Sequence, residues 1–228
     1  MVLAFKVFEV VEEMNFATIA SKLKNYKMVE IEEINGREVE TGFEIVSLEE
    51  RDGKLVGNVI ESFIVSLSYK GEEFRAPVSV STLFEFYRYR DRILLIIAAK
   101  KPRANRIASI FSTILSARKV AILEAQIPAE TLKALHEERP GSTKVVFFDG
   151  VKLPGVDKLS LYGEQLADTT LYSEYLKLGK VWYVVFEAEE GIVIGVTRNC
   201  VVTFFSKIDI DSALDYIREK IIPLTVKP

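Results

Sequence analysis

A chain of 228 residues with 49% hydrophobic and 28% charged side chains has the material for a large core, which excludes an intrinsically disordered protein. Its longest uninterrupted apolar run, Ile93 to Ala99, is far short of the roughly 20 residues of a membrane-spanning helix, so no membrane role is expected. Net charge is −3 but unevenly spread: 9 Lys/Arg stand against 15 Asp/Glu over residues 1–80, 9 against 2 over 81–120, and 12 against 16 over 121–228.

In chain order, a short helix is expected over 15–24. An antiparallel meander follows, with β-type runs at 28–34, 38–48, 54–69 and 73–80 separated by the turn dipeptides Asn35-Gly36, Asp52-Gly53 and Lys70-Gly71. Next come a strand over 83–90, a turn at Asp91-Arg92, a strand over 93–99 and a helix from Pro102 to about Ala117. Beyond Lys119 the elements alternate: strand 119–125, helix 128–138, strand 143–149, a Pro154-Gly155 turn, strand 158–163 and helix 168–178. Strands 181–188, 191–197 and 200–205 and a helix over 211–221, stopped by Pro223, close the chain. The expected class is α+β: an antiparallel β-meander with packed helices over 1–118, then a mixed α/β lobe over 119–228 ending in a β-β-β-α unit.

The basic segment 81–120 carries the functional signal. A helix N-terminus is a positive pole that favours acidic neighbours, yet Lys100, Lys101, Arg103 and Arg106 crowd the start of the helix at Pro102. An anion, phosphate above all, offsets that arrangement. A wheel puts Ile107, Ile110, Phe111, Ile114 and Leu115 on the buried stripe and leaves Asn105, Ser109, Ser112, Thr113 and Ser116 outward, a face of small hydrogen-bonding groups. Upstream, Phe84, Phe86, Tyr87 and Tyr89 interleave with Arg88, Arg90 and Arg92, a mixture suited to stacking on bases and contacting phosphates. The competing reading is ordinary strand packing, with the arginines answering acidic neighbours.

Catalytic residue types are scarce. His136 is the only histidine, Cys200 sits at the start of an apolar strand as a structural thiol would, and no Gly-x-Ser-x-Gly elbow or phosphate-binding glycine loop occurs. Metal-dependent phosphodiester chemistry needs only carboxylates, so Asp149, followed by Asp157 and Asp168, is the one candidate for it; Asp149-Gly150 is equally good turn chemistry, and Asp209 and Asp211 suit a helix cap. No cofactor and no metal are expected. The aromatic group Tyr162, Tyr172, Tyr175, Trp182 and Tyr183 suits a core or an interface.

Two glutamines, one cysteine, one histidine and no Asn-x-Ser/Thr acceptor fit a heat-adapted organism and a reducing compartment, and nothing after Met1 reads as a leader, so a cytoplasmic location is expected. The β-rich start, the basic stretch Arg88 to Arg106 and the final segment ending at Ile221-Ile222-Pro223 resemble in outline the non-catalytic N-terminal and linker lobe of prokaryotic Argonautes, which in some systems is a separate chain. The strand, strand, helix order of 83–117 and again of 192–221 is similar to that of TATA-binding proteins. Both resemblances imply nucleic acid and assign no residue. The expected function is a non-enzymatic accessory subunit that binds DNA or RNA through Lys100, Lys101, Arg103, Arg106, Arg88, Arg90, Tyr87, Tyr89, Asn105 and Ser109, alongside a protein partner or a second copy. The alternatives are a module whose basic belt docks an acidic protein, and a metal-dependent nuclease.

Overall fold

A computed structural model describes residues 2–34, 36–117, 120–138, 142–188 and 191–227; the expected turn residue Asn35 and the expected strand start Lys119 lie outside these. The first elements are β1 (Leu3–Val10), α1 (Phe16–Leu23), β2 (Lys27–Ile34), β3 (Arg37–Arg51), β4 (Lys54–Tyr69), β5 (Glu72–Tyr89), β6 (Arg92–Ile97) and α2 (Lys101–Leu115). Then come β7 (Ile122–Glu124), α3 (Ala129–Glu137), β8 (Thr143–Leu153), β9 (Val156–Tyr162), α4 (Thr170–Leu178), β10 (Lys180–Glu187), β11 (Val193–Thr197), β12 (Val201–Phe204) and α5 (Ile210–Tyr216). The fold is α+β with a β-meander. No helix among the described residues is long and apolar enough to cross a membrane. Two compact units share the chain: residues 1–9, 99–104 and 123–228 form one, and residues 10–98 and 105–122 the other.

In the unit of residues 10–98 and 105–122, the meander β2-β3-β4-β5-β6 is antiparallel throughout. Its turns are local chemistry. Asp52 and Gly53 both take positive φ (49° and 70°), as do Lys70 and Gly71 (51° and 85°), the mirror-image turn whose twist matches the flanking strands. Asn15 caps α1, its Oδ1 accepting from the Thr18 backbone N–H at 2.9 Å. Phe111 of α2 anchors the core between Phe43 (6.2 Å), Phe84 (4.8 Å) and Phe86 (6.1 Å).

Two local expectations change here. The runs at 73–80 and 83–90 are one strand, β5, because Pro77 sits opposite Ile64 where no third strand needs its missing N–H. The last turn closes at Arg90-Asp91 instead of Asp91-Arg92: Arg90 takes φ 57°, Tyr89 pairs with Arg92, and Arg92 becomes a buried strand residue. β3 pairs with β4 only as far as Ser62, and β6 meets β5 only from Phe84, so the rest of β4 and β5 forms a two-stranded ribbon exposing Leu67, Tyr69 and Phe74.

In the other unit the strand order is β1-β12-β11-β10-β8-β9, again antiparallel, and β10, β11, β12 and α5 form the expected β-β-β-α ending. β1 was not anticipated. It pairs with β12 from Leu3↔Phe204 to Lys6↔Val201. Asp209 caps α5, accepting from the Ser212 N–H at 2.9 Å and hydroxyl at 2.6 Å, and these bonds lower its carboxyl pKa. Past α5, a π turn over Ile217–Ile221 and a 3-10 turn over Ile222–Leu224 carry the chain through Pro223.

His136 of α3 is fully buried, its ring 4.6 Å from that of Tyr172, and neither ring nitrogen has a hydrogen-bond partner among the described residues. Burial pushes its pKa from 6.5 to about 4. The unfolded chain therefore takes up a proton below about pH 6.5 that the folded protein refuses until about pH 4, so stability is complete above the first value and declines as pH falls toward the second. Denaturation midpoints measured from pH 7 to pH 4 should show a loss approaching about 3 kcal/mol attributable to this ring, and His136→Leu should flatten that part of the profile.

Candidate nucleic-acid interface

The site is laid out by strand register in the unit of residues 1–9, 99–104 and 123–228. On β8, Asp149 stands opposite Lys180 of β10 on one side and Lys158 of β9 on the other. Cross-strand partners share a face, so two lysines flank one carboxylate. Just beyond, Gly150 takes φ 60° and the β8–β9 register shifts, so Asp149-Gly150 is a bulge inside a strand and not a chain-reversing turn. β10 bulges too, between Val181 and Tyr183, leaving Trp182 without a direct partner on β8. The Trp182 ring lies 5.7 Å from Phe147, and the Lys158 ammonium sits 4.9 Å over it.

Arg198 comes from the tight turn between β11 and β12 and hydrogen-bonds the Asp149 carboxylate. That turn is held from every side. The Arg198 N–H donates to Trp182 O at 2.8 Å, and its carbonyl accepts from the Ile127 N–H at 2.7 Å. The Thr197 hydroxyl donates to Asn199 Oδ1 at 2.7 Å, and the Asn199 amide donates to Glu124 Oε2 at 3.3 Å. Cys200 follows in the left-handed region at φ 53°, fully buried, with its carbonyl accepting from the Val7 N–H at 3.0 Å. Glu124 in turn receives the buried Lys6 ammonium, whose pKa burial lowers despite the raising effect of that carboxylate.

These residues enclose a cavity of about 650 Å³ lined by Lys101, Lys158, Lys180, Arg198 and Trp182 among others. A second cavity of about 570 Å³ shares Asp149, Lys180 and Arg198 with it and adds Lys133, Lys152, Lys177 and Glu130. Both carboxylates are taken: Asp149 holds Arg198, and Glu130 lies 3.9 Å from Lys133. Lys101, Lys152, Lys177 and Lys180 make no ion pair with described residues. The result is a cationic groove whose positive charge exceeds what the protein itself neutralises.

The residues singled out from the sequence are divided between the two units. Lys100, Lys101 and Arg103 fall in the same unit as the groove, and of these Lys101 lines it. The first turn of α2 contains no acidic residue. Arg106 belongs to the other unit, where its Nε donates to Glu61 Oε1 at 2.8 Å; Glu61 is only 1% exposed. In that unit Arg88 lies 5.2 Å over the Phe16 ring, Arg90 lies 5.1 Å over Tyr89, and Tyr87 and Tyr89 are half-buried strand residues. Asn105 is half-buried and has a partner, and Ser109 is exposed. The buried stripe of α2 runs through Ala104, Ile107, Ala108, Phe111 and Leu115, while Ile110 and Ile114 lie at its edges. Ser112 is not a free outward group: its Oγ accepts from the Ala121 and Ile122 N–H groups at 2.9 and 3.2 Å. Asp157 and Asp168 are exposed, and no group of three or more His, Cys, Asp or Glu suited to a metal occurs among the described residues.

Sequence reading did not find Lys158, Lys180, Arg198 or Trp182 as one site. The available signal was the Pro154-Gly155 hairpin, which brings Asp149 near Lys158, but the two bulges could not be read. No protein-family model matches the chain, and no curated protein matches it in sequence.

Three of the helix-start cations should separate in a stability assay. Arg106→Ala strips a buried carboxylate of its guanidinium and is expected to cost about 1–2 kcal/mol, less than a fully buried pair because Arg106 is largely solvated. Lys100→Ala and Lys101→Ala should stay within about 0.5 kcal/mol, as exposed positions do. Urea titrations of the three variants make the comparison.

Proposed function

We propose that the chain is a nucleic-acid-binding accessory subunit, without chemistry of its own, that holds DNA or RNA backbone phosphates along the groove from Lys101 to Lys177. The observation that carries this reading is that Lys101, Lys152, Lys177 and Lys180 form no salt bridge with a described carboxylate, while Asp149 and Glu130 already face cations. Free exposed ammonium groups cost little when hydrated, and they release counterions when a polyanion lies across them. The start of α2 adds the positive pole of a helix at Lys101. A protein partner is favoured by the exposed apolar residues of the β4–β5 ribbon, Leu67, Tyr69 and Phe74. The scarcity of glutamine and cysteine supports a reducing cytoplasm in a heat-adapted organism.

Fluorescence anisotropy of labelled oligonucleotides across a salt series tests the reading. Binding should weaken steeply with salt, with a log–log slope of about −2 or steeper if three or more phosphates are engaged. The double variant Lys101→Glu/Lys180→Glu should bind at least about tenfold more weakly and with a shallower slope. No binding by the natural sequence at low salt, or an unaffected double variant, would replace this reading with one in which the groove docks an acidic protein.

A further inference from the structure

The ribbon of β4 and β5 leaves one strand edge unprotected. β3 parts from β4 at Gly42, where φ is 130°, so β4 from Phe63 to Tyr69 pairs only with β5. The hairpin turn sets which backbone groups face outward. Tyr69 and Glu72 flank the two-residue turn and bond each other, so on alternate residues the N–H and C=O point the other way, and Ile64, Ser66 and Ser68 present theirs to the open edge. Pro77 opposite Ile64 agrees, since its nitrogen then points away from β4. Ser66 and Ser68 are exposed, and no strand among the described residues pairs with this edge. Open edges are normally blunted by charge or proline. The others here are: β2 carries Glu30, Glu32 and Glu33, β9 carries Asp157 and Lys158, and the open part of β5 carries Glu72, Glu73, Arg75 and Pro77. The stretch from Phe63 to Tyr69 has neither.

Resting on the proposal that the ribbon meets a protein partner, we infer that this partner is a second copy of the chain, whose β4 edge pairs with this one, antiparallel about a two-fold axis at Ser66. The order of residues suits self-pairing. Ser66 opposes its counterpart, Ile64 opposes Ser68 and Ser68 opposes Ile64, and each of these outward-facing pairs exchanges two backbone bonds. On the apolar face the same register sets Val65 beside Leu67 and Phe63 beside Tyr69, aliphatic against aliphatic and ring against ring, with no like charges opposed. The exposed Leu67 and Tyr69 thereby gain cross-strand neighbours that the ribbon alone does not give them. On the opposite face Arg75 lies 3.6 Å from Glu32 of β2, so that side is already met within the chain. Pro77 and its charged neighbours block the β5 edge, so assembly stops at two copies.

Sedimentation velocity of the full chain over roughly a hundredfold range of concentration should show a monomer–dimer equilibrium. Ser66→Lys sets two ammonium groups against each other across the axis and should weaken association by at least about tenfold. Cross-linking checks the register. Cys200 is the only cysteine and is buried, so in Ser66→Cys a disulfide between copies can form only at the axis, where the Cα atoms stand about 5.5 Å apart. In Ser68→Cys the thiols lie about 13 Å from each other, so mild oxidation should link the first variant and not the second. A chain that stays monomeric throughout, a dimer that a folded Ser66→Lys leaves intact, or equal cross-linking of both cysteine variants overturns the inference. If Ser66→Lys does not fold by circular dichroism, the two cysteine variants decide. The groove is read separately by the oligonucleotide titrations, so loss of the dimer leaves the nucleic-acid reading standing.

Discussion

The ion pair of Asp149 with Arg198 organises the groove. Two lysines flank Asp149 by strand register, and a third cation, Arg198, reaches it from the β11–β12 turn and bonds it, so one carboxylate stands among three positive groups. Without it, like charges would repel and the cavity would open or collapse. With it, Arg198 is fixed while the flanking lysines remain available. In this structure the Asp149 carboxylate, weighed from the sequence as a metal ligand, is engaged by Arg198.

That pair is only as well placed as the turn that carries Arg198. The turn is bonded through its backbone to Trp182 and Ile127, through Asn199 to Glu124, and through Cys200 to Val7. A left-handed, fully buried cysteine is an uncommon choice for such a corner, and it persists because the surrounding bonds determine its conformation. Lys6 contributes from the far side of Glu124. The groove is thus built on one corner fixed by hydrogen bonds, with long lysine side chains around it.

Much of the architecture was legible because it is written locally. Asp52-Gly53 and Lys70-Gly71 fix their hairpins through positive φ, Asn15 and Asp209 fix helix starts, and alternation in β4 and β5 fixes the faces between. β1 escaped notice because Lys6 and Glu9 interrupt what is in fact an almost wholly buried strand, and a buried charge has no signature in periodicity. Of the cavity lining, Lys101, Asp149 and Trp182 were singled out from the sequence, each for a separate reason and not as one site. The basic excess of residues 81–120 is concentrated in sequence but divided in space, with Arg88, Arg90 and Arg106 answering Phe16, Tyr89 and Glu61. The groove's other cations come from residues 133 to 198, a stretch with no excess of positive charge, and only the pairing of β8 with β9 and β10 gathers them.

The pairing of β1 with β12 has a consequence for how the molecule is made. Leu3 meets Phe204, so the sheet that carries the groove joins residues some 200 positions apart, and closing such a loop precedes any stabilisation from the contacts it makes. The meander unit, by contrast, is a series of adjacent hairpins that can form as each emerges from the ribosome. Synthesis therefore delivers a folded meander while β1 still waits for its partner strand. The cationic groove, which needs Arg198 in its turn beside β12, therefore forms only after that turn has been made, later than the meander.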